Sequence, residues 1–147
     1  MDARTKEIID KQYIRELQNH YSYSIDAGKY DNLDVMFTSN ASYNFVTGST
    51  DNIEALKTTI RDALSPLTTS QHTNGNQWSE IEGDFAKAGC YFTVHMYKEG
   101  LADGEHFEMG GRYDDELVRA ADGWRFSART ITILWSDGNP KVRWQGQ

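Results

Sequence analysis

The chain has 147 residues, 38% apolar and 12% aromatic, with no low-complexity tract; that suits one domain with a genuine core and excludes a disordered chain. Its net charge of −7 comes from 22 acidic and 15 basic residues, and the basic residues do not cluster, so the footprint of a nucleic-acid binder is missing. No apolar run approaches the ~18 residues of a membrane helix, "MDARTKEIID" is too charged for a secretory leader, and a single cysteine, Cys90, fits a reducing compartment, so a cytoplasmic location is expected.

In "TKEIIDKQYIRELQNHYSYSIDAGKY" the residues Ile9, Tyr13, Leu17, Tyr21 and Ile25 recur every fourth position, and Ile8 and Ile14 widen the stripe. That period predicts a long first helix with one buried face, and Gly28 supplies its stop. A short second helix carrying Leu33, Met36 and Phe37 is expected next, capped at Asp31 or Asn32. A strand follows in "ASYNFV". The segment "STDNIEALKTTIRDAL" predicts a third helix, with Ser49 or Thr50 as cap and Pro66 beyond its end.

From about residue 67 the chain turns aromatic and β-branched, which predicts three or four long antiparallel strands joined by tight turns. "DGEH" and "AADGW" hold Asp-Gly hairpin signals. The paired glycines of "MGGRY", inside a strand pattern, predict a bulge or bend. Helices first and a meander afterwards define an α+β fold. It is read as a single domain over 1–147, with three helices packed on a curved, mainly antiparallel sheet. The mouth of such a cone is a natural small-molecule pocket.

Two polar residues stand out. Asp26 ends the first helix, where the helix dipole disfavours an anion; it either faces water or has a partner elsewhere. His72, in "SQHTNGNQW", is either a solvated turn residue or a proton-transfer group. Of the other histidines, His20 and His106 read as exposed. Strand alternation groups His95 with Tyr91, Thr93 and Tyr97, on a side that is either pocket or outer surface. There is no His-x-x-x-His, no cysteine pair, no phosphate-cradling loop and no G-x-S-x-G elbow. Cys90 reads as inert core. Acid–base chemistry with neither metal nor cofactor is what the residues leave.

The succession "YSYSIDAGKYDNLDVMFTSNASY", "TTSQHTNGN", "EGDFAKAGCYFTVHMY", "GGRYDDELVRAADGWRF" and "ARTITILWSDGNP" resembles the SnoaL-like branch of the NTF2-like superfamily over nearly the whole chain. Within it the chain is most similar to the group of hexachlorocyclohexane dehydrochlorinase, scytalone dehydratase and bile-acid 7α-dehydratase. The resemblance implies a cone-shaped fold and a cofactor-independent lyase. Its catalytic pair falls on His72 and Asp26, with Tyr21 and Arg129 assisting. Tyr43, His95 and Trp135 are expected to bind a small cyclic, largely apolar substrate. The same dyad in an isomerase or a polyketide-type cyclase is the alternative, as is a non-catalytic ligand carrier or small subunit. The resemblance also implies a homo-oligomer, dimer or trimer, with "CYFTVHMY" and "TITILW" as interface strands. The C-terminal "NPKVRWQGQ" is expected either to cover the mouth of the cone or to hang free.

Overall fold

The computed structural model describes residues 1–144. Helix α1 (Ala3–Asp26) leads through a 3₁₀ turn (Tyr30–Val35) into strands β1 (Phe37–Phe45) and β2 (Gly48–Thr50). Helix α2 (Ile53–Leu64) follows, and then the four long strands β3 (Thr69–Glu82), β4 (Phe85–Tyr97), β5 (His106–Ala120) and β6 (Gly123–Gly138). They form one sheet in the order β2-β1-β6-β5-β4-β3, antiparallel throughout except where β1 runs parallel to β6. The three helices and the mainly antiparallel sheet are those the sequence predicts.

Local chemistry explains most boundaries. The Asp2 carboxylate accepts from the Thr5 N–H at 2.8 Å and caps α1. At the other end Gly28 takes φ +71. The Gly28 N–H then donates to the Ile25 carbonyl and the Lys29 N–H to the Ser24 carbonyl, closing a Schellman turn. The second helix is only the 3₁₀ turn, yet it buries Leu33 and Met36 as expected, while Phe37 already opens β1. Helix α2 is capped by Asn52, whose side chain accepts from the Ala55 N–H, and not by Ser49 or Thr50. Those two pair with Asn44 and Tyr43 as strand β2, so the backbone enters the helix later.

Helix α1 lies against the inner face of the sheet through Asp10, Ile14, Leu17, Gln18, Tyr21, Ser22 and Ile25. The four-residue period is real, but its N-terminal members Ile8, Ile9 and Tyr13 flank the contact and remain exposed. At that end the buried position belongs to Asp10. Its carboxylate takes two hydrogen bonds from Arg119 at 2.8 and 2.9 Å and one from the Trp124 indole at 3.0 Å. These bonds, led by Arg119, hold the carboxyl below the ordinary range.

Strand β4 shows which face is which. Ala86, Ala88, Cys90, Phe92, Val94 and Met96 are buried on the inner face, whereas Phe85, Lys87, Tyr91 and Thr93 are exposed on the outer one. Gly110 and Gly111 mark the predicted irregularity, a register shift between β5 and β6. A tight turn at Gly83–Asp84 joins β3 to β4, and another at Ala121–Asp122 joins β5 to β6.

Gly123, which follows that second turn, has φ +129, and a Cβ there would overlap the Tyr13 ring of α1. Gly123→Ala is therefore expected to destabilise the fold by about 2 kcal/mol or more, read as a lower urea midpoint at unchanged m-value.

Candidate active site

Asp26 is the last residue of α1, and β3 runs past it on the sheet edge. The His72 backbone N–H donates to Asp26 Oδ2 at 2.6 Å, and the Ser70 hydroxyl donates to Oδ1 at 2.8 Å. His72 Nδ1 lies 2.6 Å from the same Oδ1. Partial burial raises the cost of charge on Asp26, but the bonds from His72 and Ser70 outweigh it and hold the carboxyl below its usual range. With Nδ1 turned to an ionised carboxylate, the neutral form of the ring carries its proton on Nδ1 and leaves Nε2 as an acceptor. Nε2 makes no hydrogen bond among the described residues.

His72 is not the loop residue that its polar neighbours suggested. It sits inside β3, paired with Val94, and its side chain is only 7% exposed. The "NGN" signal is a β-bulge instead of a turn: the register shifts between Gly75 and Trp78, and Asn76 takes φ +53. Asn74 and Gln77 then hold the bulge to α1, donating to the Gln18 carbonyl and the Gln18 side chain respectively.

The His72 ring borders a cavity of about 110 Å³ between the helices and the inner face of the sheet. Tyr21 and Ile25 of α1, Ile60 and Leu64 of α2, and Tyr43 and Phe45 of β1 line it. So do Phe92, Val94 and Met96 of β4, Met109 and Tyr113 of β5, and Ile131 and Ile133 of β6. Two phenols meet in this apolar wall, Tyr21 Oη and Tyr43 Oη, 2.7 Å apart. One hydrogen bond between them uses one of their two protons and leaves the other to donate. Burial pushes Tyr21 up from its ordinary pKa and Tyr43 well up, so both stay protonated at neutral pH.

Arg129 is placed differently from the expectation. It is completely buried and does not line the cavity. Its Nε and Nη2 donate to both oxygens of Asp115, at 2.7 and 2.9 Å, and neither side chain reaches solvent. The guanidinium lies over the rings of Tyr113, Tyr21 and Phe126 at 3.9, 4.3 and 4.4 Å. Burial opposes its charge, and Asp115 more than offsets this, so the pKa is raised. Arg129 thus lies beneath Tyr21 and Tyr113, in position to act through them and not on a ligand directly.

His95 and Trp135, expected in the pocket, face the outer surface. Strand alternation puts His95 with Tyr91 and Thr93, opposite Phe92 and Val94. Its Nδ1 lies 2.6 Å from Glu108 and its Nε2 2.6 Å from His106 Nδ1. No three His, Cys, Asp or Glu side chains among the described residues are grouped to hold a metal ion. Trp135 covers Gly110 on that outer face and is 46% exposed. The register shift opposite Gly110 and Gly111 falls between Ile133 and Trp135 and turns Trp135 outward while Ile131 and Ile133 line the cavity, a step that strand alternation read from the sequence does not reveal.

Sequence reasoning also left the role of the C-terminus open. After β6, Pro140–Val142 forms a 3₁₀ turn, with Val142 fully buried and Arg143 and Trp144 lining the cavity. Residues 145–147 of the quoted tail lie outside the described residues.

A His–Asp pair opening on an apolar chamber between helices and sheet makes this a small pocketed α+β protein. The model of the SnoaL-like domain matches residues 6–130, and the chain belongs to that family. An uncharacterized protein of Mycobacterium tuberculosis is 31% identical over 128 residues, 86% of each chain. A candidate scytalone dehydratase from Novosphingobium aromaticivorans superposes with TM-score 0.84 at 15% identity, over 92% of this chain and 91% of its own. A hexachlorocyclohexane dehydrochlorinase, LinA type 2, superposes with TM-score 0.81 at 15% identity, over 92% of each chain. At such identities these two establish the fold. No helix among the described residues is long and apolar enough to cross a membrane.

Asp115→Asn leaves Arg129 charged and unpaired in the core, and is expected to cost about 3–5 kcal/mol in urea denaturation. Replacing both, as Asp115→Leu with Arg129→Met, should recover most of that loss. The pH dependence of Asp26 has a definite sign. Its native pKa is depressed, so the stability from its ionisation is complete above the ordinary value of 3.8 and fades as pH falls through the native value. The difference in Tm between wild type and Asp26→Asn should therefore narrow below pH 3.8.

Proposed function

We propose that the protein is a cofactor-independent lyase, a dehydratase or dehydrohalogenase, acting on a small cyclic and largely apolar substrate. The observation that carries this reading is the His72 ring. Its Nδ1 is held by Asp26 at 2.6 Å, and its Nε2 is left unpaired beside an apolar cavity. An imidazole in that tautomer is a general base, and the carboxylate behind it stabilises the imidazolium that forms.

In the reaction, Nε2 takes a proton from a substrate carbon next to a carbonyl or an extended π system. The C–H electron pair becomes the new π bond, and the bond to the leaving group breaks with its electrons on that group. A halide departs as the anion, and His72 then gives its proton to solvent. A hydroxide collects the proton just gained by His72 and departs as water, which resets the base. The free O–H of the Tyr21–Tyr43 pair donates to the oxygen that gains charge, and Arg129 beneath the Tyr21 ring holds that phenol in place. The relatives support the reading by their descriptions, a dehydrochlorinase and a candidate dehydratase of the same fold.

The test is a screen of cyclic β-hydroxy ketones and ring halides for release of water or halide. The same samples in D₂O are followed by NMR for deuterium entering the activated position. His72→Gln is expected to lower turnover about 10²–10⁴-fold, and Asp26→Asn to lower kcat more than it raises KM. Deuterium exchange with double-bond migration and no leaving group lost would replace the lyase by an isomerase. Neither exchange nor turnover across the screen, with ring compounds bound, would leave a ligand carrier.

A further inference from the structure

The cavity holds one full charge that the chemistry at His72 does not use. Strand β6 ends at Gly138, and the C-terminal 3₁₀ turn is fastened where the chain folds back. The Asn139 N–H donates to the His106 carbonyl at 2.9 Å, and its side-chain amide donates to the Gly104 carbonyl at 2.7 Å. The Asn139 side-chain oxygen accepts from the Lys141 N–H at 3.1 Å, Lys141 pairs with Asp103 at 2.7 Å, and Val142 is fully buried. This anchored turn presents Arg143 to the cavity. The rim there is formed by the exposed Val46 and Thr47 and the half-buried Leu64.

Arg143 differs from the other buried or half-buried cations of this protein. Arg129 has Asp115, Arg119 has Asp10 and Asp84, Arg125 has Asp122, Lys57 has Asp31, Asp34 and Glu54, and Lys98, which has no carboxylate, donates to the Pro66 carbonyl at 2.6 Å. Arg143 has no carboxylate among the described residues. Among the described residues its guanidinium rests on the face of the Trp144 ring, at 4.0 Å. Burial draws its pKa down, with only the Tyr43 phenol acting the other way. No carboxylate among the described residues lines the cavity; Asp26 stands behind His72 and opens on the groove beside α1 and β3. A half-buried guanidinium without a counter-ion is costly unless something anionic arrives to meet it.

We infer that Arg143 is the anchor for an anionic group of the ligand, and that the substrate is a ring compound carrying a carboxylate. The ring lies among Phe92, Met96, Ile131 and Ile133, and the carboxylate sits at the rim on the planar donor fork of Arg143. A cavity of about 110 Å³ is matched to a single ring. This rests on the cavity being the substrate site proposed above and adds the chemistry that would select the substrate.

Benzoate and benzyl alcohol are a fitting pair of probes, alike in size and differing in charge. Their dissociation constants are measured by ¹⁵N–¹H NMR titration for wild type, Arg143→Met, Arg143→Lys and His72→Gln, each checked for its native spectrum. Wild type should bind benzoate at least roughly fivefold tighter than benzyl alcohol, as expected for a partly desolvated charge pair. Arg143→Met should erase that preference while leaving benzyl alcohol within about twofold, and Arg143→Lys should keep part of it. His72→Gln should keep it whole. No preference in wild type, or a preference that survives Arg143→Met, overturns the proposal. Failure of both probes to bind overturns it too. A preference carried by Arg143 in a protein that turns over no activated ring acid would leave the anchor standing and remove the lyase reading alone.

Discussion

One constraint governs the placement of everything else at the site: an anion at the negative end of a helix must be satisfied by something outside that helix. Asp26 ends α1, where the dipole opposes its charge. The β3 edge supplies the remedy through the Ser70 hydroxyl, the His72 N–H and the His72 ring. The same three bonds do two jobs. They clamp the C-terminal end of α1 against the sheet, and they fix the His72 tautomer. The Schellman turn at Gly28 matters because it ends the helix at the carboxylate, so Asp26 stays at the position β3 can reach.

A second constraint acts from below. A fully buried ion pair is a poor source of net stability, since desolvation takes back much of what Coulomb attraction gives. Arg129 and Asp115 are better understood by what surrounds them. The guanidinium is stacked against three aromatic rings, two of which, Tyr21 and Tyr113, also form cavity wall. A planar cation fixed by two hydrogen bonds is a rigid shelf, and Tyr21 resting on it keeps its hydroxyl against that of Tyr43. The positive charge beneath also favours any negative charge developing above those phenols.

The parts of this arrangement that could be read in the sequence are those written in local chemistry. The Gly28 stop, the "MGGRY" irregularity and the order of helices and strands follow from backbone preferences and side-chain period, and the structure has them. The Asp26–His72 pair spans 46 residues, and no period could join them; the family pattern did. Where local reading failed, a tertiary contact had changed the local rule. "NGN" would be a turn in isolation, but Asn74 and Gln77 bind α1 and make it a bulge within β3, carrying His72 into the strand. Trp135 left the pocket because the β5–β6 register shift changes which β6 residues point inward. Arg143 gave no sequence signal, since a lone arginine near a chain end looks solvated; its importance lies in what it lacks.

That lack can be generalised across the cavity. Nearly every polar group on the inner side of the sheet is paired. Gln18 donates to the Gly89 carbonyl, Arg129 holds Asp115, and Asp10 holds Arg119 and Trp124. Among the described residues, the groups at the cavity without such a partner include the His72 Nε2 lone pair, one proton of the Tyr21–Tyr43 pair, the Tyr113 hydroxyl and the Arg143 guanidinium. Unpaired groups in a buried wall are unfavourable for the empty protein, so their clustering on one chamber has to be repaid by a ligand. Together they ask for three things: a proton to remove, an oxygen to hold, an anion to neutralise. A molecule meeting all three is a ring acid with an activated C–H next to an oxygen-bearing carbon.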